Sequence, residues 1–134
     1  MFDTFKPTTQ MLGRWQPWHP GHTELFKRAL AETGQVCIMI RTVPQDTDAS
    51  GGRTMTQDDN PFKVTDVEDN IKKELAKEGF VYQREYTIMI VPNIVDISYG
   101  RGVGYTFTEH DLGKEIQSIS ATKIRAEMRE KGDL

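Results

Sequence analysis

The alternation of strand-like and helical stretches predicts an α/β fold: a three-layer sandwich around a mostly parallel sheet of about five strands. Two observations carry that reading. The runs Val36 to Ile40 and Ile88 to Val91 are continuously apolar, as in strands that helices cover on both faces. Each of the first two strand-like runs is also followed by residues with helical apolar spacing. Gln10 to Trp15 opens the series as a short strand. In the helix after it Leu25, Phe26, Ala29 and Leu30 share one face, and Gly34 closes it, because glycine accepts the left-handed conformation that ends many helices. Gln35 to Thr42 is the second strand. Residues 43–60 form a polar, glycine-rich stretch of 18 residues, long for a compact domain and expected to be a flexible substrate loop or lid. Thr65-Asp66-Val67-Glu68 has the form of a capping box, and Val64, Val67, Ile71 and Leu75 mark the buried face of a second helix ended by Gly79. Tyr86 to Val91 reads as a third strand stopped by Pro92, and Ile94 to Tyr99 as a fourth stopped by Gly100. Weak strand character returns at Tyr105 to Thr108 and Gln117 to Ile119. A last helix opens around Ser120 and Thr122, with Ile124 and Met128 turned inward.

The 134 residues read as one domain, 1–134, since no repeat or linker divides them. Hydrophobic residues at 37% and charged residues at 28% describe a soluble globular chain. No apolar run approaches the roughly 20 residues of a membrane span. The start of the chain shows neither the basic region nor the apolar core of a signal peptide, so a cytoplasmic location away from membranes is expected. A single cysteine, Cys37, suits a reducing compartment and reads as a small core residue. The net charge of −3 argues against sequence-independent nucleic-acid binding, so an anionic ligand has to be held by a local pocket.

Open parallel sheets bind ligands beyond the carboxyl ends of their strands, where the following helices also present free N–H groups. The densest chemistry lies at the first such end. Gly13-Arg14-Trp15-Gln16-Pro17-Trp18-His19-Pro20-Gly21-His22 holds both tryptophans, two of the three histidines and an arginine. Pro20 suits the first position of a helix, and Gly21 permits close approach of a backbone or a phosphate. His19 and His22, three apart at a helix start, can face one anion, whose charge would favour their protonated forms.

His19-Pro20-Gly21-His22 matches the H-x-G-H signature of the nucleotidyltransferase superfamily, and the full segment from Gly13 resembles the G-R-F-Q-P-F-H-x-G-H of archaeal-type nicotinamide mononucleotide adenylyltransferases. Ile119-Ser120-Ala121-Thr122-Lys123-Ile124-Arg125 is similar to the I-S-S-T-x-I-R motif that opens the last helix of adenylyltransferases, and Asn60-Pro61-Phe62 resembles their N-P-F segment. The resemblance spans essentially the whole chain and implies a Rossmann-like fold. It implies transfer of a nucleotidyl group, adenylyl before cytidylyl, from ATP or CTP to a small phosphorylated metabolite, with release of pyrophosphate and with Mg²⁺ bound mainly through the nucleotide. On this resemblance His19 and His22 stabilise charge at the α-phosphorus, Ser120 and Thr122 bind the β- and γ-phosphates, and Arg125 adds a charged contact. Gln16 and the neighbouring backbone help place the attacking group, and Gly13, Arg14, Trp15, Gln16 and Gly21 join Ser120 and Thr122 as nucleotide- or phosphate-binding residues. The chain is shorter than most of the nicotinamide mononucleotide enzymes, and residues 43 to 60 do not carry their substrate-binding segment, which leaves the acceptor open. No K-M-S-K-S-type segment is present, which argues against an aminoacyl-tRNA synthetase.

Plainer readings stand beside these. Without its flanks, the histidine pair is a structural feature of a helix start. As a zinc site it lacks the glutamate of H-E-x-x-H and has only Cys37 and His110 as further soft partners, so no metal ligand set is expected in the protein. Gly100-Arg101-Gly102-Val103-Gly104 is a turn by default, with Gly100 and Arg101 placed to touch a base or substrate. Arg41 and Arg53 reach a substrate phosphate or are simply solvated. Trp15 and Trp18 stack a base or pack beneath the loop. Two further functional readings remain: a cytidylyltransferase acting on an alcohol phosphate such as glycerol or choline phosphate, and a non-catalytic nucleotide-binding regulatory module. A core this small also makes a homo-oligomer an expectation.

Overall fold

The computed structural model describes residues 1–43, 61–101, 104–113 and 121–132. Its elements run β1 (Thr9–Gly13), α1 (Pro20–Thr33), β2 (Val36–Arg41), α2 (Val64–Lys77), β3 (Tyr86–Val91) and α3 (Ala121–Glu130). The three strands form a parallel sheet in the order β1-β2-β3. Gly13 stands beside Ile40, and Arg41 beside Val91, so all three carboxyl ends reach the same edge.

On β2 the side chains of Val36, Ile38 and Ile40 alternate onto one face. There they join Phe26 and Ala29 of α1 and Val67, Ile71 and Leu75 of α2 in one buried cluster. Both helices therefore cover the same face, as two right-handed crossovers running in one direction across a sheet require. Gly34, with φ 89°, takes the left-handed position that ends α1, and its N–H donates to the Leu30 carbonyl. Cys37 is a buried free thiol on β2, and burial pushes its pKa up. No described helix is long and apolar enough to cross a membrane.

Three sequence expectations need correction. The described residues hold three strands rather than five. Ile94 to Tyr99 is not a strand: Val95, Ile97 and Tyr99 are 81%, 57% and 61% exposed. Strand propensity is realised only against a ladder partner and a packed face, and this segment has neither among the described residues. Tyr105 to Thr108 is likewise exposed and not a strand, while Gln117 to Ile119 lies outside the described residues. Finally, α2 begins at Val64 after Lys63, with no side-chain cap, so Thr65 and Glu68 do not form the expected box. Val64 packs against the core cluster, and the helix starts two residues earlier than the box would place it. The substrate loop expected over 43–60 lies outside the described residues from 44 onward.

Tyr86 is fully buried beneath α1 and α2, and its hydroxyl has no hydrogen-bond partner among the described residues. Burial, aided by Tyr82 and Glu85, pushes its pKa up to about 12. A buried hydroxyl without a partner costs more than it returns. Tyr86→Phe is therefore expected to stabilise the fold by about 1 kcal/mol, read as a higher urea midpoint at unchanged slope. A loss of stability would show that the hydroxyl is satisfied.

Candidate active site

The site is built on the loop from β1 to α1. Trp15 sits at φ 55°, in the left-handed region that non-glycine residues seldom occupy, and its indole N–H donates to the Met39 carbonyl at 3.0 Å. Its ring lies so close over Gly13 that a Cβ there would come within 2.8 Å of it. Gly13 is thus required by the packing of Trp15. Trp18 is 3% exposed and donates from its indole to the Thr23 hydroxyl at 2.8 Å. Packing beneath the loop, the plainer of the two sequence readings, describes how both indoles are held.

His19 is the N-cap of α1, and the H-x-x-H spacing makes a capping box. The Gly21 N–H donates to His19 Nδ1, and the His19 N–H donates to His22 Nδ1, each at 3.1 Å. The two rings stack with centroids 3.6 Å apart, and Trp15 and Trp18 flank His22 at 4.8 and 5.4 Å. With both Nδ1 atoms accepting, each neutral ring carries its proton on Nε2, which is left as a donor. Burial lowers the pKa of His19, and burial followed by the neighbouring His19 pushes His22 down to about 3. Without a bound anion the pair therefore rests neutral, because desolvation outweighs the gain from charge; the protonated forms expected from the sequence belong to an anion-bound state. The Gly21 N–H is already used in the cap.

A pKa below the unfolded value of about 6.5 means that the unfolded chain takes up a proton before the folded one does. The stability that neutral His22 contributes is present above that value and is lost as pH falls toward the folded pKa of about 3. Between pH 6.5 and 5, wild-type stability is expected to fall by up to about 1.4 kcal/mol per pH unit more than that of His22→Asn, measured by urea unfolding. Parallel slopes would refute the shift.

Arg125, from α3, is the residue that joins the two ends of the chain. It is 3% exposed, and its Nη1 donates at 2.5 Å to the carbonyl of Gln16, 109 residues earlier. The Gln16 side chain is a clamp. Its Oε1 accepts from the Phe62 N–H and its Nε2 donates to the Phe62 carbonyl, both at 2.9 Å. Gln16 also lines the cavity described next, and the clamp uses one of its two N–H donors and one acceptor site. Gln16 thereby ties the β1–α1 loop to the lead-in of α2 through its side chain and to α3 through its carbonyl.

Gly13, Arg14, Trp15, Gln16, His22 and Arg125 line a cavity of about 160 Å³. Arg14, Arg125 and His22 share this lining, and no carboxylate is among the described residues in it, a set whose chemistry suits an anion. Its volume suits phosphate groups rather than a whole nucleotide, since small-molecule sites commonly run to about 300–1,000 Å³. His19 supports His22 from beneath and is absent from that lining. Arg41 is half-buried at the end of β2, Gly100 and Arg101 are exposed, and none of the three lines the cavity. Arg53 and Ser120 lie outside the described residues. Thr122 falls in the first turn of α3, with its side chain undescribed. Among the described residues no three His, Cys, Asp or Glu side chains gather as a metal cage.

Sequence reading missed the Phe62 end of the Gln16 clamp, although the Asn60-Pro61-Phe62 segment was its visible signal. It also missed the polar ridge that Asp66, Asn70 and Glu74 form on α2, because polar residues four apart on a helix do not by themselves signal a cavity wall. No protein-family model matches the chain, and no curated protein matches it.

Proposed function

We propose that the chain is a nucleotidyltransferase, adenylyl in preference to cytidylyl, that passes a nucleotidyl group from a nucleoside triphosphate to a small phosphorylated metabolite and releases pyrophosphate. The observation that carries this reading is the cavity in which His22 of the first helix and Arg125 of the last line one space sized for phosphates. An acceptor oxygen attacks the α-phosphorus in line, the bond to the bridging oxygen breaks, and pyrophosphate leaves with that oxygen. Arg14 and Arg125 hold negative charge, and the His22 Nε2–H donates to charge as it grows in the transition state. Catalysis rests on positioning and electrostatics, without a covalent enzyme intermediate. Mg²⁺ would be held by the triphosphate rather than by the protein and would neutralise phosphate charge there, since arginine and imidazole offer it no anionic ligand. The motifs at Gly13 to His22 and Ile119 to Arg125, at the two ends of the chain, support the same reading.

The test is pyrophosphate release with ATP and with CTP, each with Mg²⁺, across a panel of phosphomonoesters and mononucleotides. Release with ATP and one acceptor class is expected. A preference for CTP with an alcohol phosphate would move the assignment to the cytidylyl branch, and triphosphate binding without release across the panel would make the chain a nucleotide sensor.

A further inference from the structure

The proposed reaction leaves a second, larger cavity without a role. This slot holds about 400 Å³ and shares Trp15 with the phosphate cavity. Its apolar lining comes from Trp15, Trp18, Phe62 and Met128, so it too draws on both ends of the chain. The polar lining comes from α2, where Asp66, Asn70 and Glu74, each four residues from the next, form one ridge of the helix. Asp66 and Asn70 have no ion-pair or side-chain hydrogen-bond partner among the described residues, and Glu74 pairs only with the exposed Lys77 at 3.1 Å. Among the described residues, no lysine, arginine or histidine lines the slot.

These walls select by chemistry. Aromatic and thioether surfaces favour a flat, weakly hydrated group. Two carboxylates repel an anion and accept from N–H donors, and a cation gains from both the carboxylates and the indoles. The neighbouring phosphate cavity has the opposite character, and only Trp15 separates the two linings by belonging to both. We propose that the slot binds a planar ring that carries N–H donors and no negative charge, resting on the apolar wall and bonded to the ridge of Asp66 and Asn70. In the reaction inferred above, and resting on that reading, this ring belongs to a reactant whose phosphates occupy the adjoining cavity, either the base of the triphosphate or the head of the acceptor. The preference of the slot itself depends only on its walls.

Benzamidine and benzoate, nearly equal in shape and opposite in charge, test that preference. Both tryptophans of the chain line the slot, so intrinsic fluorescence reports on it directly. Benzamidine is expected to quench saturably, and benzoate to bind at least about tenfold more weakly. The paired changes Asp66→Asn and Glu74→Gln, on the polar ridge rather than in the core, are expected to remove most of that difference. Displacement of benzamidine by ATP assigns the ring to the nucleotide, and simultaneous binding assigns it to the acceptor. Equal affinity for the two probes, absence of saturable quenching, or displacement by inorganic triphosphate alone would overturn the proposal. Because benzamidine binding involves no phosphate chemistry, its failure leaves the transferase reading standing, and an absence of pyrophosphate release leaves the slot standing.

Discussion

Replacing His22 with alanine is expected to lower pyrophosphate release by about 10²–10³-fold while nucleotide affinity changes by less than about threefold. The asymmetry follows from the protonation state. His22 is held neutral by burial, with its Nδ1 occupied by the His19 N–H, so the one group it offers a ligand is the Nε2 donor. On the proposed function, the Nε2 donor contributes little to the ground-state affinity of a triphosphate that Arg14 and Arg125 would hold. It contributes most when charge increases at the reacting phosphate. The alanine variant also loses half of the capping box of α1, worth about 1 kcal/mol, so the comparison belongs at a temperature where both proteins are folded. His22→Asn, which keeps an acceptor in reach of the cap, is expected to recover stability without recovering rate. Equal losses of affinity and rate in the alanine variant would make His22 a binding residue only.

Gln16→Glu is expected to give the second large effect, with an unusual pH dependence. The native amide accepts from the Phe62 N–H and donates to the Phe62 carbonyl. An ionised carboxylate keeps the first bond and sets an anion against the carbonyl oxygen in a side chain only 4% exposed. A loss of about 1–3 kcal/mol is expected at neutral pH, with activity falling as the loop, α2 and α3 separate. A protonated carboxyl can accept and donate as the amide does. Burial raises the folded-state pKa of the introduced group above its unfolded value of about 4.3. Its favourable contribution is therefore complete below the unfolded value and lost as pH rises through the folded one. Stability relative to wild type is expected to recover on acidification, opposite to the direction that His22 imposes on the wild type. Urea unfolding across pH 5 to 8, paired with triphosphate binding, checks this. A deficit independent of pH would show that the clamp does not depend on donation to Phe62.

The parts of this fold that were legible in the sequence are those where local chemistry and tertiary packing agree. The apolar runs of β2 and β3 could be buried only in a sheet, and Gly34 could end α1 because the helix needed a left-handed residue there. The segment from Ile94 to Tyr99 was misread because its β-branched and aromatic residues have strand propensity, while strand formation depends on a neighbour that sequence periodicity does not reveal. At the site, spacing placed His19 and His22 together at a helix start but was silent on charge: the depressed pKa of His22 comes from Trp15, Trp18 and His19 closing around it. The sequence singled out Gln16 but gave no sign of its partner, the backbone of Phe62, 46 residues away. Side chains can be read from a pattern. Backbone groups that meet only after folding cannot.

On the proposed function, the first and last helices hold one chain of phosphates between them. The most direct measurement is a titration of the ¹⁵N-labelled protein with Mg²⁺ and ATP, following the imidazole signals of His22 and the guanidinium signals of Arg125 in one NMR experiment. Both sets should move along one binding curve with a single Kd, and inorganic triphosphate should move the same pair. Movement of only one set, or two curves with different Kd values, would contradict the account.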